Sequence, residues 1–113
     1  MTTNEKIIAA LAPTGLPVFP DIRQKYPEQY YTFNLTTIPD DFADDAPWHE
    51  RVLVQVHLFL PQDFDSVQLR RDTKRYLEAG GFTWPGMTDA TDEDGQHWVF
   101  ECEDAEAVEH CAV

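Results

Sequence analysis

Carboxylates are the most abundant chemical groups in this chain, so the first question is whether any are placed for catalysis. There are 21 Asp and Glu against 8 Lys and Arg, a formal net charge of −13. Acid–base chemistry needs two carboxylates in different environments, so that their pKa values diverge. The pairs Asp40/Asp41 and Asp44/Asp45 share one proline-bounded loop, PDDFADDAP, where water screens any such difference. Asp92, Asp94, Gly95 and Glu101 have the spacing of the third, fifth, sixth and twelfth positions of a calcium loop, but the first position falls on Ala90, which cannot ligate. His49, His57, His97 and His110 lack zinc-type spacing. His57, on the mixed face of a strand, reads as a hydrogen-bonded packing residue. There is no G-x-S-x-G, no glycine-rich phosphate loop and no Cys beside a base in sequence. The expectation is a protein without enzymatic activity, cofactor or metal. Cys102 and Cys111 form no C-x-x-C and are expected as two free thiols in a reducing compartment.

Binding chemistry is the stronger signal. Arg70, Arg71, Lys74 and Arg75 supply four of the eight basic residues and fall on one arc of a predicted helix. Arg70/Lys74 and Arg71/Arg75 are like-charge pairs one turn apart, which destabilise an isolated helix by roughly 0.2–0.5 kcal/mol each. In so acidic a chain, that clustering points to an acidic surface lying opposite, such as the loops of a second copy. Phe42, between two Asp pairs, and Trp48, after Pro47, have no regular element to bury them and are candidate interface anchors.

The elements that position these residues follow from hydrophobic periodicity. The longest is RVLVQVHLFLP, Arg51–Pro61: Val52, Val54, Val56, Leu58 and Leu60 face one side, and Leu53, Gln55, His57 and Phe59 the other. At roughly 3.3 Å per residue it crosses a small domain, and its mixed second face suggests cover by a helix or another subunit. YYTFNLTTI, Tyr30–Ile38, is a second strand, with Tyr31, Phe33 and Leu35 on one face. The two make an antiparallel hairpin around the Asp-rich loop. A short helix is expected over Asn4–Ala12, with Ile7, Ile8 and Leu11 on its buried face, followed by a proline-flanked edge segment at Leu16–Pro20. A polar linker covers Asp21–Gln29. The second helix is expected from about Phe64 to Ala79, capped by Asp63 or Asp65 and stopped by Gly80-Gly81, with Leu69, Thr73, Tyr76 and Leu77 inward. Phe82–Trp84 reads as a brief strand, Pro85–Gly95 as an acidic loop, and Gln96–Glu103 as the last strand. The whole is α+β: a mixed, mainly antiparallel sheet with a long central hairpin, packed against two helices. One domain over residues 1–103 is followed by an acidic tail, 104–113.

The charge argues against a basic nucleic-acid surface and against adhesion to anionic membranes. No apolar run is long enough to span a bilayer. The opening MTTNEKIIAALAP has neither the n-region nor the h-region of a secretory signal.

The order of elements resembles the small tail completion proteins of long-tailed bacteriophages, also called tail terminator or tail-to-head joining proteins. The likeness runs over roughly Ile7–Glu103. It comprises a helix, a proline-flanked segment, a Tyr-Tyr-Thr-Phe strand, an Asp-rich loop, the long strand, a helix ending in LEAGGF, and an acidic turn before DEDGQHWVFE. The resemblance implies a non-enzymatic structural protein that caps the finished tail tube as a hexameric ring and meets the head. Its expected partners are further copies of itself, a tail tube protein and a head-side connector. The genome would pass the channel without specific binding. The expected location is the virion at the head–tail junction, and the host cytoplasm during assembly. For such a ring the expected interface pairs Arg70, Arg71, Lys74 and Arg75 with Phe42, Trp48, Asp40, Asp41, Asp44 and Asp45. The alternatives are another phage neck protein and an acidic inhibitor that mimics nucleic acid.

Overall fold

The computed structural model describes residues 2–20, 28–40 and 49–104; for 39–40 and 49–50 it describes the backbone alone. The first element, α1 (Thr3–Leu11), opens on a reciprocal cap. Thr2 Oγ1 accepts from Glu5 N–H at 3.2 Å, and Glu5 Oε1 accepts from Thr2 N–H at 3.2 Å, so two backbone donors that the helix leaves unpaired are satisfied. The buried face of α1 is Lys6, Ile7, Ala10 and Leu11. Ile8, expected on that face, is 45% exposed. It lies about 100° around the helix from Ile7, outside the arc that Ile7, Ala10 and Leu11 share. A single 3₁₀ turn, Ala12–Thr14, ends at Gly15, whose φ of 77° is open to glycine.

Five strands form one sheet in the order β1-β2-β3-β5-β4: β1 (Val18–Phe19), β2 (Tyr30–Asp40), β3 (His49–Leu60), β4 (Gly86–Asp89) and β5 (Gln96–Glu103). Only β1 and β2 are parallel. The β2–β3 hairpin pairs without a break from Tyr30↔Phe59 to Asp40↔His49, whereas β5 follows β3 only between Leu60 and Leu53. The hairpin therefore runs on past its neighbours as a two-stranded arm, and the molecule measures 53 × 25 × 22 Å. The fold is α+β, as the sequence predicts.

β4 was not expected. GMTD falls in the predicted loop, and its composition carries little strand propensity. It is recruited by β5, pairing from Gly86↔Glu101 to Asp89↔Trp98. Phe82, expected to start a strand, makes one isolated bridge to Asp104.

The second helix, α2 (Val67–Ala79), starts three residues later than its periodicity suggests. The side-chain amide of Gln96 on β5 donates to Phe64 O at 2.6 Å and to Pro61 O at 2.9 Å. These bonds tie the preceding segment to the sheet, in competition with a helical ladder. The cap residue is Ser66, and its hydroxyl accepts from Arg70 Nε at 3.0 Å rather than from the helix start. Asp65 Oδ1 accepts from Val67 N–H at 3.4 Å, a long bond. The other end is a Schellman stop: Phe82 N–H reaches Leu77 O and Gly81 N–H reaches Glu78 O, each at 3.1 Å, with Gly81 at φ 104°. Leu77 and Phe82, which bracket it, are both in the core.

Both helices cover one face of the sheet. That core joins Ile7, Leu11 and Leu77 to Tyr31, Phe33, Val54, Val56, Leu58 and Phe100. Two polar links cross it. Thr73 donates its hydroxyl to Leu69 O at 2.7 Å, so the buried Tyr31 phenol must donate to Thr73 Oγ1, 2.8 Å away. Lys6 Nζ reaches Asp104 Oδ1 at 2.6 Å with both side chains buried, and Thr3 Oγ1 donates to Asp104 Oδ2 at 2.7 Å. Asp104 thus belongs to the fold; the rest of the predicted tail, 105–113, lies outside the described residues.

Candidate functional site

Strand alternation sends every second side chain of β2, β3 and β5 away from the helices. On this open face Tyr30, His57, Phe59 and His97 form a continuous row of rings. Tyr30 stacks on Phe59 with centroids 4.8 Å apart, and Phe59 on His97 at 4.4 Å. His57 Nδ1 lies 2.8 Å from His97 Nε2, and His57 Nε2 lies 3.2 Å from Asn34 Oδ1. An amide oxygen only accepts, so His57 carries its proton on Nε2, and His97 Nε2–H donates to the bare Nδ1 of His57. Burial holds both imidazoles below their ordinary pKa, and the neighbouring His97 lowers His57 further. Thr32, opposite His57 in register, is buried here with no partner for its hydroxyl. The rings therefore form a rigid, uncharged patch at neutral pH.

Further along the same face, an open cleft of about 380 Å³ is lined by Asn34, Thr36, Arg51, Leu53, Gln55 and Glu101, among others. Arg51 closes one side, its Nε donating to Glu103 Oε1 at 2.6 Å. The one thiol described, Cys102, is buried and pushed up to about 12, first by desolvation and then by Asp104 and Glu103. It stays a neutral thiol at physiological pH and offers no nucleophile.

The basic arc of α2 is divided between two jobs. Arg70 is folded inward, its guanidinium 4.0 Å over the Trp98 ring, a contact that fixes the helix on β5. Arg71 and Arg75 are exposed, Lys74 is half-buried, and Arg75 makes only a loose 3.6 Å pair with Asp72, worth little in water. Of the residues expected to oppose this arc, Asp40 ends β2 with its side chain undescribed; Asp41, Phe42, Asp44, Asp45 and Trp48 lie outside the described residues. Asp92, Glu93 and Asp94 stand in the turn between β4 and β5. Asp92 Oδ1 there accepts from Asp94 N–H at 2.9 Å. Among the described residues no group of three or more His, Cys, Asp or Glu is placed to hold a metal ion, and no helix is long and apolar enough to cross a membrane.

The aromatic–histidine row was only half visible in the sequence. The alternation in RVLVQVHLFLP marks His57 and Phe59 as facing away from the main core. Their meeting with Tyr30, Asn34 and His97 depends on the strand order β2-β3-β5, which no local pattern encodes. No protein-family model matches the chain, and no curated protein matches it.

Proposed function

We propose that this protein is a structural subunit of the head–tail junction of a long-tailed bacteriophage, a tail-completion protein that acts as a ring closing the tail tube. The observation that carries the reading is the one-sided sheet. Two helices cover one face, while the other presents the uncharged row Tyr30–Phe59–His97–His57 and, beside it, Leu53 and Val99. An uncharged aromatic patch of that kind, bordered on the same face by the polar cleft with Arg51 and Glu101, has the make-up of an interaction surface. The exposed cations Arg71 and Arg75 on the far side of the molecule provide a second, chemically different patch. A ring needs two unlike surfaces on each subunit. A hexamer of such acidic subunits would repel DNA phosphate along its channel, letting the genome slide without adhering.

The test is electron microscopy of particles from a producing strain that lacks the gene. Filled heads beside unjoined tails of abnormal length are the expected result. Normally joined virions would refute the role.

A further inference from the structure

Among the described residues, the hairpin arm leaves one strand edge without a neighbour. Tyr31 N–H donates outward to Pro17 O of β1 at 2.8 Å, and β1 ends its pairing at Thr32. Backbone groups alternate sides along a strand in an antiparallel ladder, and the β2–β3 register is unbroken. Phe33 also points outward, but the Phe19↔Thr32 bridge uses its N–H on Phe19 O, since Pro20 has no N–H to offer; Leu35 and Thr37 point both their N–H and C=O groups outward, where no described strand meets them. Pro39 occupies the next outward position, where a missing N–H costs no bond to β3. The stretch 33–38, FNLTTI, carries no charge in a chain of net charge −13. Leu35 is 36% and Ile38 38% exposed. The usual protections of an edge strand, a lysine, a bulge or an inward charge, are all missing from it.

The other end of the sheet has a matching edge. Ala90 N–H donates to His97 O at 2.8 Å, so Gly86 and Thr88 face β5 while Met87 and Asp89 face outward. Pro85 removes the next outward donor. Just before it stands Trp84, 55% exposed, the most exposed large apolar residue described. β2 and β4 also run in opposite directions, because each of the three steps from β2 through β3 and β5 to β4 is antiparallel.

We infer that the outer edge of β2 pairs with the outer edge of β4 of a second copy, antiparallel and head to tail, so that one sheet continues from subunit to subunit. This rests on the ring reading and specifies its seam. The pairing brings Leu35 and Thr37 against Met87 and Asp89, with about four backbone hydrogen bonds. It buries Leu35 beside Met87 on the helix-covered side and sets the open faces of adjacent copies in register. Two unlike edges make the contact heterologous, so it propagates until it closes.

Amide hydrogen exchange on the full-length protein, at low concentration and at a concentration where it assembles, tests this directly. The expected result is that exchange at Leu35, Thr37, Met87 and Asp89 slows by about tenfold or more on assembly, while Phe33, already bonded to β1, and Asn34 and Thr36, already bonded to β3, change little. Leu35→Pro removes an outward N–H only and should keep the monomer folded by circular dichroism while blocking assembly; Met87→Pro should do the same from the other edge. Closed assemblies whose edge amides still exchange freely would overturn the seam and leave the ring standing. Edge protection in dimers or open filaments would keep the seam and refute the ring. Protection of β2 without β4 means β2 pairs with its own copy, and a protein monomeric at millimolar concentration has no such seam; either result overturns the inference.

Discussion

The two imidazoles of the open face respond differently to acid. His97 can take a second proton on Nδ1 and still donate through Nε2. A proton on His57 Nδ1 meets the donor of His97 head on and breaks the bond between the rings. Burial lowers both pKa values from an ordinary 6.5; Glu101 opposes this at His57, and Asp92 at His97. A lowered histidine pKa means that the unfolded chain binds protons more readily, so stability rises with pH through this window. The contribution is complete above the unfolded value of about 6.5 and is lost as pH falls from there toward the folded values. We expect the urea midpoint to drop between about pH 7.5 and 5.5, and His57→Gln to flatten that drop. Equal slopes in wild type and variant would show that the pair does not titrate on unfolding. His57 could be read from the sequence as a hydrogen-bonded strand residue, but its partners could not. Asn34 and His97 lie 23 and 40 positions away.

At the scale of elements, packing between α1 and α2 depends on one missing side chain. A Cβ on Gly80 would lie 2.7 Å from Ala10 Cβ, closer than real Cβ atoms approach, and 3.2 Å from Tyr76 O, a tight contact. The neighbours are a methyl group fixed on α1 and a helix carbonyl, so neither can rotate away. Gly80→Ala should therefore destabilise the fold by about 1–3 kcal/mol, the usual cost of overpacking, read as a lower denaturation midpoint with unchanged m-value. An unaltered midpoint would mean that the helices are free to separate. The sequence marks Gly80-Gly81 as a helix stop, and Gly81 fills that role with its positive φ; the need for glycine at 80 comes from α1, which the helix signal does not contain. The same division holds elsewhere. The hairpin, α1 and β5 were legible because period and length agree. The start of α2 and the strand β4 were not, because Gln96 and the free edge of β5 decide them from a distance.

For the whole molecule, charge is distributed more informatively than its total suggests. With Arg70 held over Trp98, the exposed cations at the crest of α2 are Arg71 and Arg75, and they face away from the sheet. Replacing both by Glu should leave the monomer stable within about 0.5 kcal/mol, as befits exposed sites, and should reduce assembly by about tenfold or more, read by sedimentation. Unchanged assembly would take α2 out of the interface. The basic cluster was thus visible in the sequence as a unit, and the structure separates its packing member from the exposed pair. The open aromatic face was legible only as an unexplained second face of the longest strand. One further consequence concerns the order in which the chain is made. Lys6, in the first helix, reaches its buried carboxylate on Asp104, just past the last strand. During synthesis α1 emerges first, yet an ammonium group cannot enter an apolar layer at low cost before that carboxylate arrives. Docking of α1 therefore waits until Asp104 has left the ribosome, and a nascent chain stopped short of Asp104 keeps its sheet unroofed at that corner.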